Sequence, residues 1–217
     1  MMARSSISRA GSLNEIAARI RTCRLCRDVH DVLPLPHEPR PVLRVSATAR
    51  LLVASQAPGL RVHQTGLPFN DPSGDRLRQW MAVDRDTFYN ESKIAIVPMG
   101  FCFPGYNELK ADLPPRRECR AMWHDQLFEH LPQIETILAI GRYAQDYHFA
   151  RLRRPLPKGA GVGEVVRRWR EFEGWRPRVF ALPHPSWRNS GWLKRNPWFE
   201  LEVLPVIRAE VARLTVV

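Results

Sequence analysis

Four cysteines are all that the chain has, and two of them stand as Cys23-Arg-Leu-Cys26. Cys102 and Cys119 form a second pair, separated by sixteen residues. Two thiols two residues apart suit a shared centre, and all four cysteines sit in predicted loops or helix edges beside arginine or proline. This favours a metal centre over isolated buried thiols. Four thiolates accept zinc or a [4Fe–4S] cluster, and the spacing does not choose between them. A basic intracellular protein is a poor setting for structural disulfides.

Three other segments concentrate chemistry. The first is Ser55-Gln-Ala-Pro-Gly59 and the second runs from Thr65-Gly-Leu-Pro-Phe69 through Asn70 to Asp71. The third is His184-Pro-Ser-Trp-Arg-Asn189. His184 lies between two prolines, a rigid mount for an imidazole. Asp71 offers a carboxylate, or else an Asx-turn before Pro72-Ser-Gly74. Asp75 is a second acidic residue there, better placed in the first turn of a helix. His30, His37, His63, His124, His130 and His148 have no metal-ligand spacing.

The elements that must position these residues are short. Ser12-Leu-Asn-Glu15 is a capping box opening a helix to about Ile20. Residues 33–46 carry four prolines and read as an extended loop. Strands are predicted at 51–54, 94–97, 136–140 and 179–182. Residues 56–74 are turn-rich, and Leu77, Trp80 and Met81 have helical spacing. Residues 98–114 read as irregular. Helices are expected at 115–131, with proline in the first turn, from Gly141, and over 162–172. Asn196-Pro197 reads as a cap opening a last helix toward Leu214, with Trp192, Trp198 and Phe199 in the core. The alternation implies a single α/β domain over 1–217, with residues 1–11 flexible. At its centre is a four-stranded parallel sheet flanked by helices on both faces, three layers in all. Ligands of such sheets bind beyond the carboxyl ends of the strands, where the three chemical segments fall.

Composition narrows the partner. Lys+Arg is 33 against 22 for Asp+Glu, a net charge of +11, and arginine far outnumbers lysine. Such a surplus suits a polyanion, since cations displace condensed counterions and guanidinium groups grip phosphate. A hydrophobic share of 44% excludes wholesale disorder. No apolar run reaches the ~18 residues that a membrane span needs. No leader pattern is read in Met1–Ala10, so the expected location is the cytoplasm.

Taken together, the three segments in this order with four placed cysteines resemble the uracil-DNA glycosylase superfamily, and within it the iron–sulfur branches called families 4 and 5. The likeness runs from about Leu13 to the final helix. It implies a [4Fe–4S] cluster on Cys23, Cys26, Cys102 and Cys119 in preference to zinc. It also implies a DNA-repair hydrolase that flips a base out of DNA containing uracil, or another deaminated base, and leaves an abasic site; a monomer is expected. By the same likeness Asp71, His184 and Gln56 are the catalytic candidates. Gln56, Ala57, Phe69, Asn70, Met99, Gly100 and His184 would surround the base, and Gly59, Ser186, Trp187, Arg188 and Asn189 would contact DNA. The asparagine that reads the base in those branches is replaced here by Pro98-Met99-Gly100. That departure raises the alternative of a non-catalytic iron–sulfur protein that binds damaged or abasic DNA. A hydrolase of a small acidic substrate ranks behind both, because no Gly-x-Ser-x-Gly elbow is present.

Overall fold

The structure is a computed structural model that describes residues 11–29 and 34–216. The readings on Met1–Ala10 and on His30 lie outside the described residues.

Four aliphatic runs form the strands β1 (Leu51–Ser55), β2 (Ile94–Pro98), β3 (Thr136–Ile140) and β4 (Arg178–Leu182). They pair in parallel in the order β2-β1-β3-β4, with Leu51 opposite both Ile94 and Thr136. Every residue of β1, β2 and β3 is buried, so both faces of the sheet are covered. The crossover from β1 to β2 carries α3 (Leu60–Thr65), α4 (Pro72–Met81) and α5 (Arg85–Tyr89). The crossovers to β3 and β4 carry α6 (Arg117–Cys119), α7 (Asp125–Glu129), α8 (Gly141–Arg151) and α9 (Val162–Arg167). These two sets of connections move in opposite directions across the sheet, so right-handed crossovers lay them on opposite faces. The three-layer arrangement expected from the alternation is therefore present. Strand order reverses between β1 and β3, which opens a crevice at their carboxyl ends.

Local signals explain several boundaries. Ser12 caps α1 (Leu13–Arg21) in a reciprocal box with Glu15. α2 (Leu25–Asp28) is a single turn carrying Cys26. The helix expected at 115–131 starts after Pro115 and changes pitch. α6 passes into a π-helical stretch, Arg120–His124, before α7 resumes. The 162–172 segment also divides, with α9 followed by a 3-10 turn at Trp169–Phe172. Two short helices, α3 and α5, and α10 (Ser190–Arg195) stand where no helix is expected from the sequence. The side chain of Asn196 does not cap the last helix, α11 (Leu204–Thr215). Its Oδ1 accepts from Arg167 and Trp198 and its Nδ2 donates to the Trp192 carbonyl, tying α10 to α9.

One buried group in α8 gives stability a pH dependence. His148 is fully buried against the edge of Phe128, and neither ring nitrogen meets a partner among the described residues. Burial, aided by the positive charge of Arg151, pushes its pKa down to about 3. The unfolded imidazole takes up a proton near pH ~6.5, so between there and about 3 the unfolded chain binds more protons. Stability is thus full above the ordinary histidine value and falls with pH by about 1.4 kcal/mol per unit from this group. Urea unfolding of wild type and His148→Leu at neutral pH and near pH ~5 should show the variant losing about 2 kcal/mol less on acidification. Equal losses would show that His148 is not the origin.

Candidate active site

A cavity of about 600 Å³ opens beyond the carboxyl ends of the strands, within the range typical of small-molecule sites. The 55–59 turn after β1, the end of β2 at Pro98 and the 184–189 loop after β4 all contribute to it. The 68–73 loop before α4, the 104–114 loop after β2 and Tyr143 in α8 complete the wall. Ser55, Phe69 and Pro98 are buried and form the floor, whereas Trp187, Arg188, Asp112 and Tyr143 are exposed at the rim.

The Phe69 loop is held in a costly conformation. Phe69 has φ 55, in the left-handed region. Its carbonyl accepts from Arg78 Nη1 at 3.3 Å, and the Pro68 carbonyl accepts from the Tyr89 hydroxyl at 2.9 Å. The Phe69 ring meets Phe88 edge-on with centroids 6.0 Å apart. Asp71 then opens α4 as its cap: Oδ1 accepts the Gly74 N–H at 2.8 Å. The turn role and a pocket-facing role coexist, because Asp71 also lines the cavity.

His184 is half-buried with Pro185 buried beside it. Burial lowers its pKa, opposed by the charges of Asp71 and Asp112 and assisted by Arg188, so the imidazole is neutral at neutral pH. Its loop is fixed from behind. Asn189 Nδ2 donates to the His184 carbonyl at 2.7 Å, and Arg76 Nη1 donates to the Ser186 carbonyl at 3.0 Å. Asn189 thus holds the His184 backbone while still lining the cavity. Gln56 lies against Gly141, where a Cβ would stand 3.1 Å from its Nε2. Gly141 has φ 76, so a glycine there satisfies both the backbone and the neighbouring amide.

Of the residues singled out from the sequence, Gln56, Ala57, Gly59, Phe69, Asp71, His184, Ser186, Trp187, Arg188 and Asn189 line this one cavity. Three do not. Asn70 turns outward, its Oδ1 accepting from Arg85. Met99 and Gly100 are buried behind the 55–56 turn, their N–H groups donating to the Ser55 and Gln56 carbonyls at 2.9 Å, and a Cβ on Gly100 would meet Pro115 at 3.1 Å. In their place the cavity is walled by Pro104, Asp112, Leu113 and Pro114. The sequence does not mark Asp112, Tyr143 or the supporting Arg76. A lone Asp in a proline-rich stretch has no periodicity to mark it, and Tyr143 lies in the first turn of a helix read only as scaffold.

The four cysteines, distant in sequence, line one small pocket with Leu35, Pro39, Pro41 and Phe101. The indole of Trp123 donates to Cys23 Sγ at 3.3 Å. Burial pushes the Cys102 thiol up to about 12. Among the described residues, no three His, Cys, Asp or Glu side chains are grouped to hold a single metal ion. The donor set is nevertheless entirely sulfur in an apolar shell, the chemistry that an iron–sulfur cluster requires of its protein.

No helix among the described residues is long and apolar enough to cross a membrane. The family model described as the uracil DNA glycosylase superfamily matches residues 42–208, which span the whole sheet and every segment lining the cavity. The chain belongs to the uracil DNA glycosylase superfamily.

Proposed function

We propose that the protein hydrolyses the N-glycosidic bond of uracil, or of another deaminated base, in DNA. The observation that carries this reading is the meeting of Phe69, Asp71 and His184 around one cavity in a member of this superfamily. A base leaves the helical stack at a cost of a few kcal/mol, and contacts with neighbouring phosphates offset it. The net charge of +11 supplies the attraction. The flipped pyrimidine stacks on Phe69, a contact worth ~1–3 kcal/mol. Positive charge then grows on the sugar and negative charge on the base. Asp71, fixed by the start of α4, faces the first, and the His184 imidazole donates a hydrogen bond to the second. The amide of Gln56 holds the base or a water. Ser186, Trp187 and Arg188 meet the duplex, with Trp187, 76% exposed, as a wedge beside the extruded nucleotide.

The same reading gives the cysteines a [4Fe–4S] cluster, which ties the N-terminal segment to the loop after β2. A single zinc ion is the other occupant that four thiolates accept. Protein purified without air should be brown and carry about four irons and four sulfides per chain, and Cys102→Ser should lose them. One tightly bound zinc per chain instead would reverse the assignment.

The test of the activity is incubation with oligonucleotides containing uracil, hypoxanthine or xanthine, single- and double-stranded, with free base and abasic sites measured. Release of one of these bases is expected. Failure with all of them, together with tight salt-dependent binding, would favour the non-catalytic reading, which the missing base-reading asparagine at Pro98-Met99-Gly100 motivates.

A further inference from the structure

Asp112 is the acidic residue of the cavity that has no structural task. The 105–113 loop is a closed hairpin. Leu113 N–H donates to the Gly105 carbonyl at 2.9 Å, and Tyr106 bridges Asp112. Asn107 Oδ1 accepts from the N–H groups of Leu109 and Ala111 at 3.0 and 2.9 Å. All of these bonds leave the Asp112 side chain out, and its carboxyl forms no hydrogen bond or ion pair among the described residues. Asp71 differs, since one of its oxygens is held by Gly74 N–H.

Exposure separates the two carboxyls further: Asp71 is half-buried where α4 starts, and Asp112 is exposed. A nucleotide enters base first, so the base reaches the buried floor at Phe69 while its sugar stops near the rim. Asp112 is at the rim beside Arg188, and it feels the charges of His184 and Asp71. Though the residue is exposed, the walls strip part of the hydration of its carboxyl. That loss raises its pKa, Asp71 adds to the rise, and Arg188 and His184 oppose it. A carboxylate with raised affinity for a proton and no competing donor is suited to take one.

We propose that Asp112 is the catalytic base of this site, removing the proton from the water that replaces the base. This rests on the glycosylase reading above. The oxygen of water bonds to the anomeric carbon of the sugar as the glycosidic bond breaks, and that bonding pair leaves with the nucleobase. One proton of water passes to the Asp112 carboxylate and from there to solvent. The departing anion, steadied by His184, gains a proton on release, so sugar-linked base plus water gives free base plus a sugar hydroxyl. Asp71 keeps the separate task of facing the sugar cation.

Single-turnover rates of wild type, Asp112→Asn and Asp112→Glu on the best-cleaved oligonucleotide test this, alongside binding to a non-hydrolysable 2′-fluoro analogue and thermal melting. Asp112→Asn should react about 100-fold more slowly while binding and melting like wild type, and Asp112→Glu should recover part of the rate. The wild-type rate should fall on acidification as Asp112 protonates, and this acid limb should vanish in Asp112→Asn. A variant within about 5-fold of wild type, or one that keeps the limb, overturns the assignment, since a general base contributes ~100-fold or more. A wild type that releases no base from any substrate overturns the glycosylase reading and this role with it. An active wild type with an indifferent Asp112→Asn overturns this role alone.

Discussion

His184→Ala is expected to slow base release about 100- to 1,000-fold, with the protein still folded and still binding DNA. The reason is geometric and electrostatic. The imidazole stands at the end of β4 with its carbonyl pinned by Asn189, so it need not reorganise as charge develops on the base. A neutral ring suffices as donor, and burial keeps it neutral by lowering its pKa. A free imidazole protonates as pH falls through about 6.5, whereas His184 takes up its proton at lower pH because burial disfavours the charged ring. The rate–pH profile should therefore show no inflection there. An inflection at that value that disappears in His184→Ala would show that the charged form carries the reaction. A loss under about 10-fold would remove His184 from the chemistry, because a single such donor is worth ~2.7–4 kcal/mol.

The second large effect is expected at Gly74→Ala, a change with no charge and one added methyl. An added Cβ would lie 1.8 Å from the Phe69 carbonyl oxygen and 2.6 Å from its carbon. The obstacle is backbone, and it cannot swing aside. Arg78 holds the Phe69 carbonyl, Tyr89 holds that of Pro68, and Asp71 holds Gly74 itself. Destabilisation of about 3 kcal/mol is expected, as for other overpacking into a fixed wall. For a chain of this size that lowers the melting temperature by about 6–12 °C. Residual folded protein should be poorly active, because Phe69 and Asp71 must shift together. Gly174→Ala is the control: nothing lies within 4 Å of its Cβ, and it should change stability by no more than about 0.5 kcal/mol. Equal behaviour of the two variants would refute the close packing of this loop.

What could be read in the sequence follows from what leaves a periodic or local trace. The four strands are continuous aliphatic runs between turn residues, and the Ser12 box is a four-residue pattern, so both are legible. α3 is not, because six helical residues between Gly59 and Gly66 look like part of a turn-rich stretch. The π-helical stretch at Arg120–His124 is likewise invisible, since the sequence pattern of a helix does not reveal where its pitch changes. The site divides in the same way. Residues on strand ends, such as Gln56 and His184, are placed by the topology itself. Asp112 is placed by how a proline-rich loop closes from Gly105 to Leu113 and packs on Pro36. That depends on packing between distant segments, and no spacing within the loop encodes it.

The 105–113 hairpin has one more consequence. It closes on its own main chain through Asn107 and Gly105, and its roots lead to the buried Cys102 and Cys119. It borrows little from the sheet that it overhangs. Such a unit behaves as an exchangeable cassette. Grafts of other lengths and charges over residues 106–111, with Asp112 kept, would reshape the wall of the crevice, while the scaffold that aims His184 stays as it is.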